Sequence, residues 1–282
     1  MARHLERYQS RTEAVRYKVG KSVIDCLVGL PPPNIPLEPI AVQLNTGIAS
    51  GPTMFKLYGE GLNALGYATV IASPHNPSES NSEDIAHLSE DLLEGAFGFN
   101  PATLSIATHS LGTHDTLIGL TQFADAELLR RLKDIIEISP VGYGGVQGVG
   151  GAIKTVGKDI FSYSAFRHIH RLGAEAFGYT VRAGLEAPGL IKTARGCDLI
   201  PASKELIEMG IGIGAVMFIQ DELIWHEPAV EGLIEAGITN TRSIPGGHAA
   251  VLSKWEETLA AGLQVRDALD RERMIRESGK SA

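Results

Sequence analysis

Three residues of this 282-residue chain, Ser110, Asp221 and His248, have the types and the order needed for nucleophilic acyl chemistry. A serine hydroxyl attacks a carbonyl only when a base takes its proton and an acid orients that base. Ser110 closes the apolar stretch 104–109 and is followed by Leu111, Gly112 and a run able to start a helix. Strand, sharp turn and helix, with an oxygen nucleophile at the apex, is the layout of a nucleophile elbow. Such a turn needs small neighbours; Gly112 is one, while Thr108 is bulkier than the usual glycine and is expected to crowd it. Taken alone, Ser110 reads equally well as the cap of the helix beginning at Leu111. Its partners shift that balance. Asp221 follows the apolar run 213–219, and His248 lies in a glycine-rich turn, 245–248, after the next short strand. Singly, the first is also a strand end and the second a surface turn residue. Together, all three fall just beyond strand ends in the order Ser, Asp, His expected of a triad on a parallel sheet.

The elements that must position these residues alternate between strand and helix. Residues 1–12 read as a short helix or a loose arm. Residues 15–19 alternate apolar and polar, the period of a half-buried strand, and 22–28 form its hairpin partner before Pro31-Pro32-Pro33. Strands are expected at 40–44, 67–72, 104–109, 135–138, 213–219 and 241–244. Helices are expected at 54–65, 83–97, after Ser110, at 124–132, at 227–236 and from 249 onward, with a loop at 73–82. Gly66 and Gly237 mark helix ends. The rhythm implies an α/β fold with a mainly parallel sheet covered on both faces, whose ligands bind at the carboxyl ends of the strands. It breaks at 141–205, where six glycines in 142–151 precede short helical pieces. This stretch is read as an inserted, mostly helical cap between core segments 1–140 and 206–282. The highly charged end, 266–282, is expected to fray.

Composition excludes several classes. A net charge of −8 argues against non-specific nucleic-acid binding. The longest apolar run is far short of the roughly 20 residues of a membrane helix, and the first residues lack the apolar core of a signal peptide. Cys26 and Cys197 show no metal or redox spacing, which fits reduced thiols and a cytoplasmic protein. The glycines after Pro140 match neither a dinucleotide nor a P-loop pattern and read as a hinge into the cap. His168 and His170 have no evident third ligand, so a solvated basic face is the better reading than a metal site. No cofactor and no metal are expected.

From the Thr46-Gly47-Ile48 turn, through 66–72 and His109-Ser110-Leu111-Gly112, to Asp221 and Gly246-Gly247-His248, the chain resembles the α/β-hydrolase superfamily. The resemblance is to its capped, serine-nucleophile branch of esterases and lipases. It implies Ser110 as nucleophile, His248 as general base and Asp221 as the acid orienting it. It also implies an oxyanion hole built from the backbone N–H groups of Ile48 and Leu111. Thr46 stands where the family usually has a histidine of structural role. His109 is implied to pack beneath the nucleophile. His75, His109 and His114 are candidates for lining the pocket, His114 because it follows Ser110 by four residues.

The expected activity is hydrolysis of a carboxylic ester or related acyl bond of a small molecule through an acyl-serine intermediate. Acyl transfer, thioester cleavage and carbon–carbon bond hydrolysis use the same triad, and a non-catalytic binding protein on this fold is the reading from another class. An apical serine disfavours the branches that use aspartate there. Residues 141–205 hold eight Lys or Arg against five Asp or Glu, which reads first as a solvated helical surface and otherwise as a field steering an anionic substrate toward the cap.

Overall fold

A computed structural model describes residues 11–19, 22–47, 51–74, 81–146, 195–221, 223–248 and 250–279. Its centre is an eight-stranded sheet of order β1-β2-β4-β3-β5-β6-β7-β8. The strands are β1 (Arg11–Val19), β2 (Ser22–Leu30), β3 (Ile40–Asn45), β4 (Ala68–Pro74), β5 (Thr103–His109), β6 (Leu132–Ile138), β7 (Gly212–Phe218) and β8 (Asn240–Ile244). β1 and β2 pair antiparallel, as does β2 with β4; the remaining pairs are all parallel. The central strands are buried on both faces, so they read as nearly continuous apolar runs. The mainly parallel sheet expected from the strand–helix rhythm is therefore present, with all eight strands near their expected places.

Helices cover both faces. On one lie α2 (Ser82–Leu93), α3 (Gly112–Gln122), α4 (Ala126–Arg131), α5 (Ile200–Glu208) and α6 (His226–Glu235), which bury Leu88, Leu117, Leu128, Leu206 and Leu233. On the other lie a 3-10 turn at Pro52–Phe55, α1 (Lys56–Ala64), α7 (Ala250–Ser253) and α8 (Trp255–Gly279), contributing Phe55, Leu62, Val251 and Leu259. Strand alternation sorts the side chains between the two cores: Ile135 and Glu137 of β6 face the first, Ile136 and Ile138 the second.

Two expectations change. The helix expected to reach residue 97 stops at Leu93, because Gly95 and Gly98 take left-handed φ values of 88° and 80°. Phe97 instead packs its ring 4.7 Å from that of Tyr17 on the edge strand. The charged end does not fray: α8 runs unbroken to Gly279. Its charges face partners rather than water alone. Buried Arg266 sits 3.5 Å from Asp134 of β6 and 5.2 Å over the Tyr67 ring. Lys133 bonds Asp270 at 3.0 Å, and Asn240 bonds Glu272 at 2.9 Å.

Most of the expected cap falls outside the described residues, as do residues 1–10. The described ends of that stretch meet at the sheet. Leu199 N–H donates to the Gly142 carbonyl at 3.0 Å, Trp225 N–H donates to Gly145 at 2.7 Å, and Val146 bridges Ile224. The expected boundary at 205 lies inside α5, which packs on α3 and β7. No helix among the described residues is long and apolar enough to cross a membrane.

Candidate active site

Ser110 stands between the end of β5 and the start of α3 with φ of 55°, the left-handed region that L-residues enter at a cost. Backbone bonds hold it there: Ser110 N–H donates to Ile138 of β6 at 3.2 Å, and Thr113 N–H donates to the Ser110 carbonyl at 3.1 Å. Two glycines let the turn after β3 close on this elbow. A Cβ at Gly112 would stand 2.6 Å from the Thr46 carbonyl oxygen, and one at Gly47 would stand 3.0 Å from Ser110 Cβ. That same Gly47 position is 3.5 Å from Leu111 N, so the Leu111 amide borders the β3 turn. Ile48, the expected second oxyanion donor, lies outside the described residues.

Thr108 does not displace the elbow. It is fully buried, and its hydroxyl shares a 2.8 Å hydrogen bond with Thr113 in the first turn of α3. The extra bulk is turned into a tie between strand and helix.

Asp221 and His248 reach Ser110 from the ends of β7 and β8. Gln220 N–H donates to the Gly246 carbonyl at 3.0 Å, coupling the turn that carries the acid to the turn that carries the base. His248 Nε2 is 2.8 Å from Ser110 Oγ, and its Nδ1 is 2.8 Å from Asp221 Oδ2. With Nδ1–H donated to the carboxylate, Nε2 is left to accept the serine proton. Asp221 Oδ1 accepts the N–H groups of Leu223 at 2.8 Å and Ile224 at 2.9 Å. Burial alone would push this carboxyl's pKa up; the His248 charge and hydrogen bonds from His248, Ser139 and Ile224 hold it below its ordinary value. Asp221 is therefore an anion without contact to water.

The remaining histidines separate clearly. His109 is buried beside His248. Its Nε2–H donates to the His248 carbonyl at 2.9 Å, and its ring lies 4.9 Å from the His248 ring. Burial pushes its pKa down to about 3, so it places no charge under the base. His114 has its Nδ1 3.4 Å from Asp115, and hydrogen bonds to Asp115 and Cys197 push its pKa up to about 10. His75, His168 and His170 lie outside the described residues. Among the described residues, no group of three or more His, Cys, Asp or Glu is placed to hold a metal ion. Neither cysteine is in a disulfide.

Sequence reasoning missed Ser139. It follows β6 with φ of 44°, is fully buried, and its hydroxyl donates to Asp221 Oδ2. The available signal was its position, since a serine ends the strand lying between the nucleophile's strand and the acid's.

No family model matches the chain, and no curated protein sequence does. Solved structures do. A bacterial membrane phospholipase A is similar over 92% of this chain and 87% of its own, with TM-score 0.59 and 12% identity. An esterase from Rhodococcus is similar over 93% of this chain and 100% of its own, with TM-score 0.57 and 13% identity. An esterase from Pyrococcus furiosus is similar over 96% of this chain and 93% of its own, with TM-score 0.56 and 12% identity. At these identities the likeness is one of architecture, and with the strand order above it gives the chain the α/β-hydrolase fold.

Proposed function

We propose that the protein is a serine hydrolase that cleaves a carboxylic ester, or a related acyl bond, of a small molecule. The observation that carries this reading is the continuous line Asp221–His248–Ser110, with 2.8 Å between the heteroatoms at both His248 contacts. Ser110 Oγ attacks the carbonyl carbon while His248 Nε2 takes its proton. Asp221 holds the ring in the tautomer that can accept and stabilises the imidazolium that forms. The oxygen of the tetrahedral intermediate is bound by the Leu111 N–H, with Ile48 N–H as the second donor; such donors contribute a few kcal/mol each. Collapse expels the alcohol, which takes the proton from His248. Water, deprotonated by the same imidazole, then releases the acid from Ser110.

The fold alone does not choose a substrate. The similar structures include esterases and a phospholipase, which accords with ester cleavage, and the strained serine with a bonded base argues against a purely binding role. We assign residues 141–205 to an inserted cap, whose positive excess would favour an anionic acyl substrate. Two widely separated cysteines without metal or redox spacing are the ground for proposing a cytoplasmic setting.

The test is covalent labelling with a fluorophosphonate probe, beside Ser110→Ala and His248→Ala. Wild-type protein should label and both variants should not; an ester and thioester panel then defines the acyl group. A folded wild-type protein that takes no label would end the hydrolase reading.

A further inference from the structure

Two non-glycine residues among those described have positive φ, and both are serines at the carboxyl rim: Ser110 at 55° and Ser139 at 44°. The strain at Ser110 presents a nucleophile. Ser139 presents none, and its conformation is the harder to maintain, since Pro140 follows it and the residue before a proline is steered toward extended backbone. Strain of this kind persists only where the surroundings over-determine it. Here Ser139 N–H donates to the Val216 carbonyl at 2.8 Å, which fixes the residue against β7. Its hydroxyl is thereby aimed at Asp221 Oδ2, with its oxygen 3.4 Å from His248 Nδ1.

We propose that Ser139 is a positioning residue of this site: its hydroxyl fixes the Asp221 carboxylate toward His248 and thereby sets how strongly the imidazole holds its proton. The inference rests on the triad reading above. The Leu223 and Ile224 amides anchor Oδ1, whereas Oδ2 is the atom that meets the base. A donor on Oδ2 does two things. It keeps that oxygen from swinging away from Nδ1–H, and it draws negative charge from the atom that stabilises the imidazolium. Among the described residues, the other titratable ring against His248 is His109, which is neutral and bonded to the backbone, so the charge they set against the imidazole is that of Asp221.

The discriminating variant is Ser139→Gly, because glycine relieves the positive φ while deleting the donor. A residue that serves only the fold would change stability and leave the chemistry unchanged. A positioning residue gives unchanged or raised thermal stability together with lost reactivity. We expect fluorophosphonate labelling of Ser110 to slow about ten-fold at neutral pH, with the acid limb of the labelling-rate profile moved to higher pH. Ser139→Ala should show the same slowing with lower thermal stability, since it keeps the strain. The His248 ring-proton signal followed by NMR through the same pH range needs no reaction. An upward-moved midpoint in Ser139→Gly supports the role even if wild-type Ser110 takes no label, in which case only the hydrolase reading fails. An unmoved midpoint, or wild-type labelling rates in folded Ser139→Gly, overturns it.

Discussion

Asp221 and Glu137 are both carboxyl groups sealed from water, one just beyond β7 and the other inside the neighbouring β6, yet they are held in opposite protonation states. Asp221 follows β7, where the chain has left the ladder, and the loop amides of Leu223 and Ile224 are free to turn toward it. Glu137 sits inside β6, paired in register with Thr108 on one side and Ala215 on the other. There the backbone donors belong to the sheet. Its Oε1 accepts the Tyr143 hydroxyl at 2.8 Å, and its Oε2 has no hydrogen-bond partner among the described residues. Burial pushes its pKa up to about 8, only partly opposed by Tyr143, so it is neutral near pH 7. Burial acts alike on both groups; what differs is the supply of donors and countercharge. Beyond the strand end, loop amides and His248 hold Asp221 as an anion, whereas Glu137, inside its strand with no such partners, keeps its proton.

The widest separation between the two should be in rate. Asp221→Asn keeps the volume but removes the charge and disturbs the tautomer that leaves Nε2 free. Serine reactivity should fall about 10,000-fold. Glu137→Gln replaces one neutral acceptor by another and should change it by less than about three-fold. Initial rates of fluorophosphonate labelling measure both. A Glu137→Gln protein as slow as Asp221→Asn would mean that the strand interior takes part in the chemistry and would erase the contrast.

Stability should separate them next, with opposite signs. Glu137 keeps a proton in the folded protein up to about pH 8, while an unfolded chain releases it near 4.5. Between those values the native state binds more protons than the unfolded state, so stability falls as pH rises. Asp221 is depressed from 3.8, so its contribution is present at neutral pH and is lost only as pH falls through the acid range. Urea unfolding from pH 5 to 9 should show wild type losing on the order of a few kcal/mol relative to Glu137→Gln, whose profile lacks this slope. Parallel profiles would show that Glu137 is ionised and paired after all.

The same distinction marks what could be read from the sequence. The β3, β5, β6 and β7 runs declare themselves because strands buried on both faces are apolar throughout, and Ser110, Asp221 and His248 were legible because each follows one of those strands or the next. Residues whose meaning depends on a distant partner were not. Ser139 acquires its role from Asp221, 82 positions later. The charges of α8 look like a solvated tail until Asp134, Lys133 and Asn240 are placed beside Arg266, Asp270 and Glu272. Thr108 was legible as a departure but not as a contact, since its partner Thr113 lies across the elbow and only the fold brings their hydroxyls together.

Thr108 gives the smallest expected effect, and it probes what holds the rim in shape. It lies in one cross-strand row with Asn45 of β3 and Glu137 of β6, a polar layer just below the strand ends. Each member of that row finds its partner in a side chain: Asn45 Nδ2–H donates to Thr116 at 2.8 Å, Thr108 bonds Thr113, and Glu137 accepts from Tyr143. Ser110 itself is held by backbone, through its N–H to Ile138 and its carbonyl to Thr113 N–H. Thr108→Val preserves the shape and leaves the Thr113 hydroxyl without this partner, so stability should drop by about 1 kcal/mol. The labelling rate should stay within about two-fold, because the backbone bonds that set Ser110 are untouched. A ten-fold slower Thr108→Val protein would locate control of the elbow in the polar layer and make the strand interior as functional as its end.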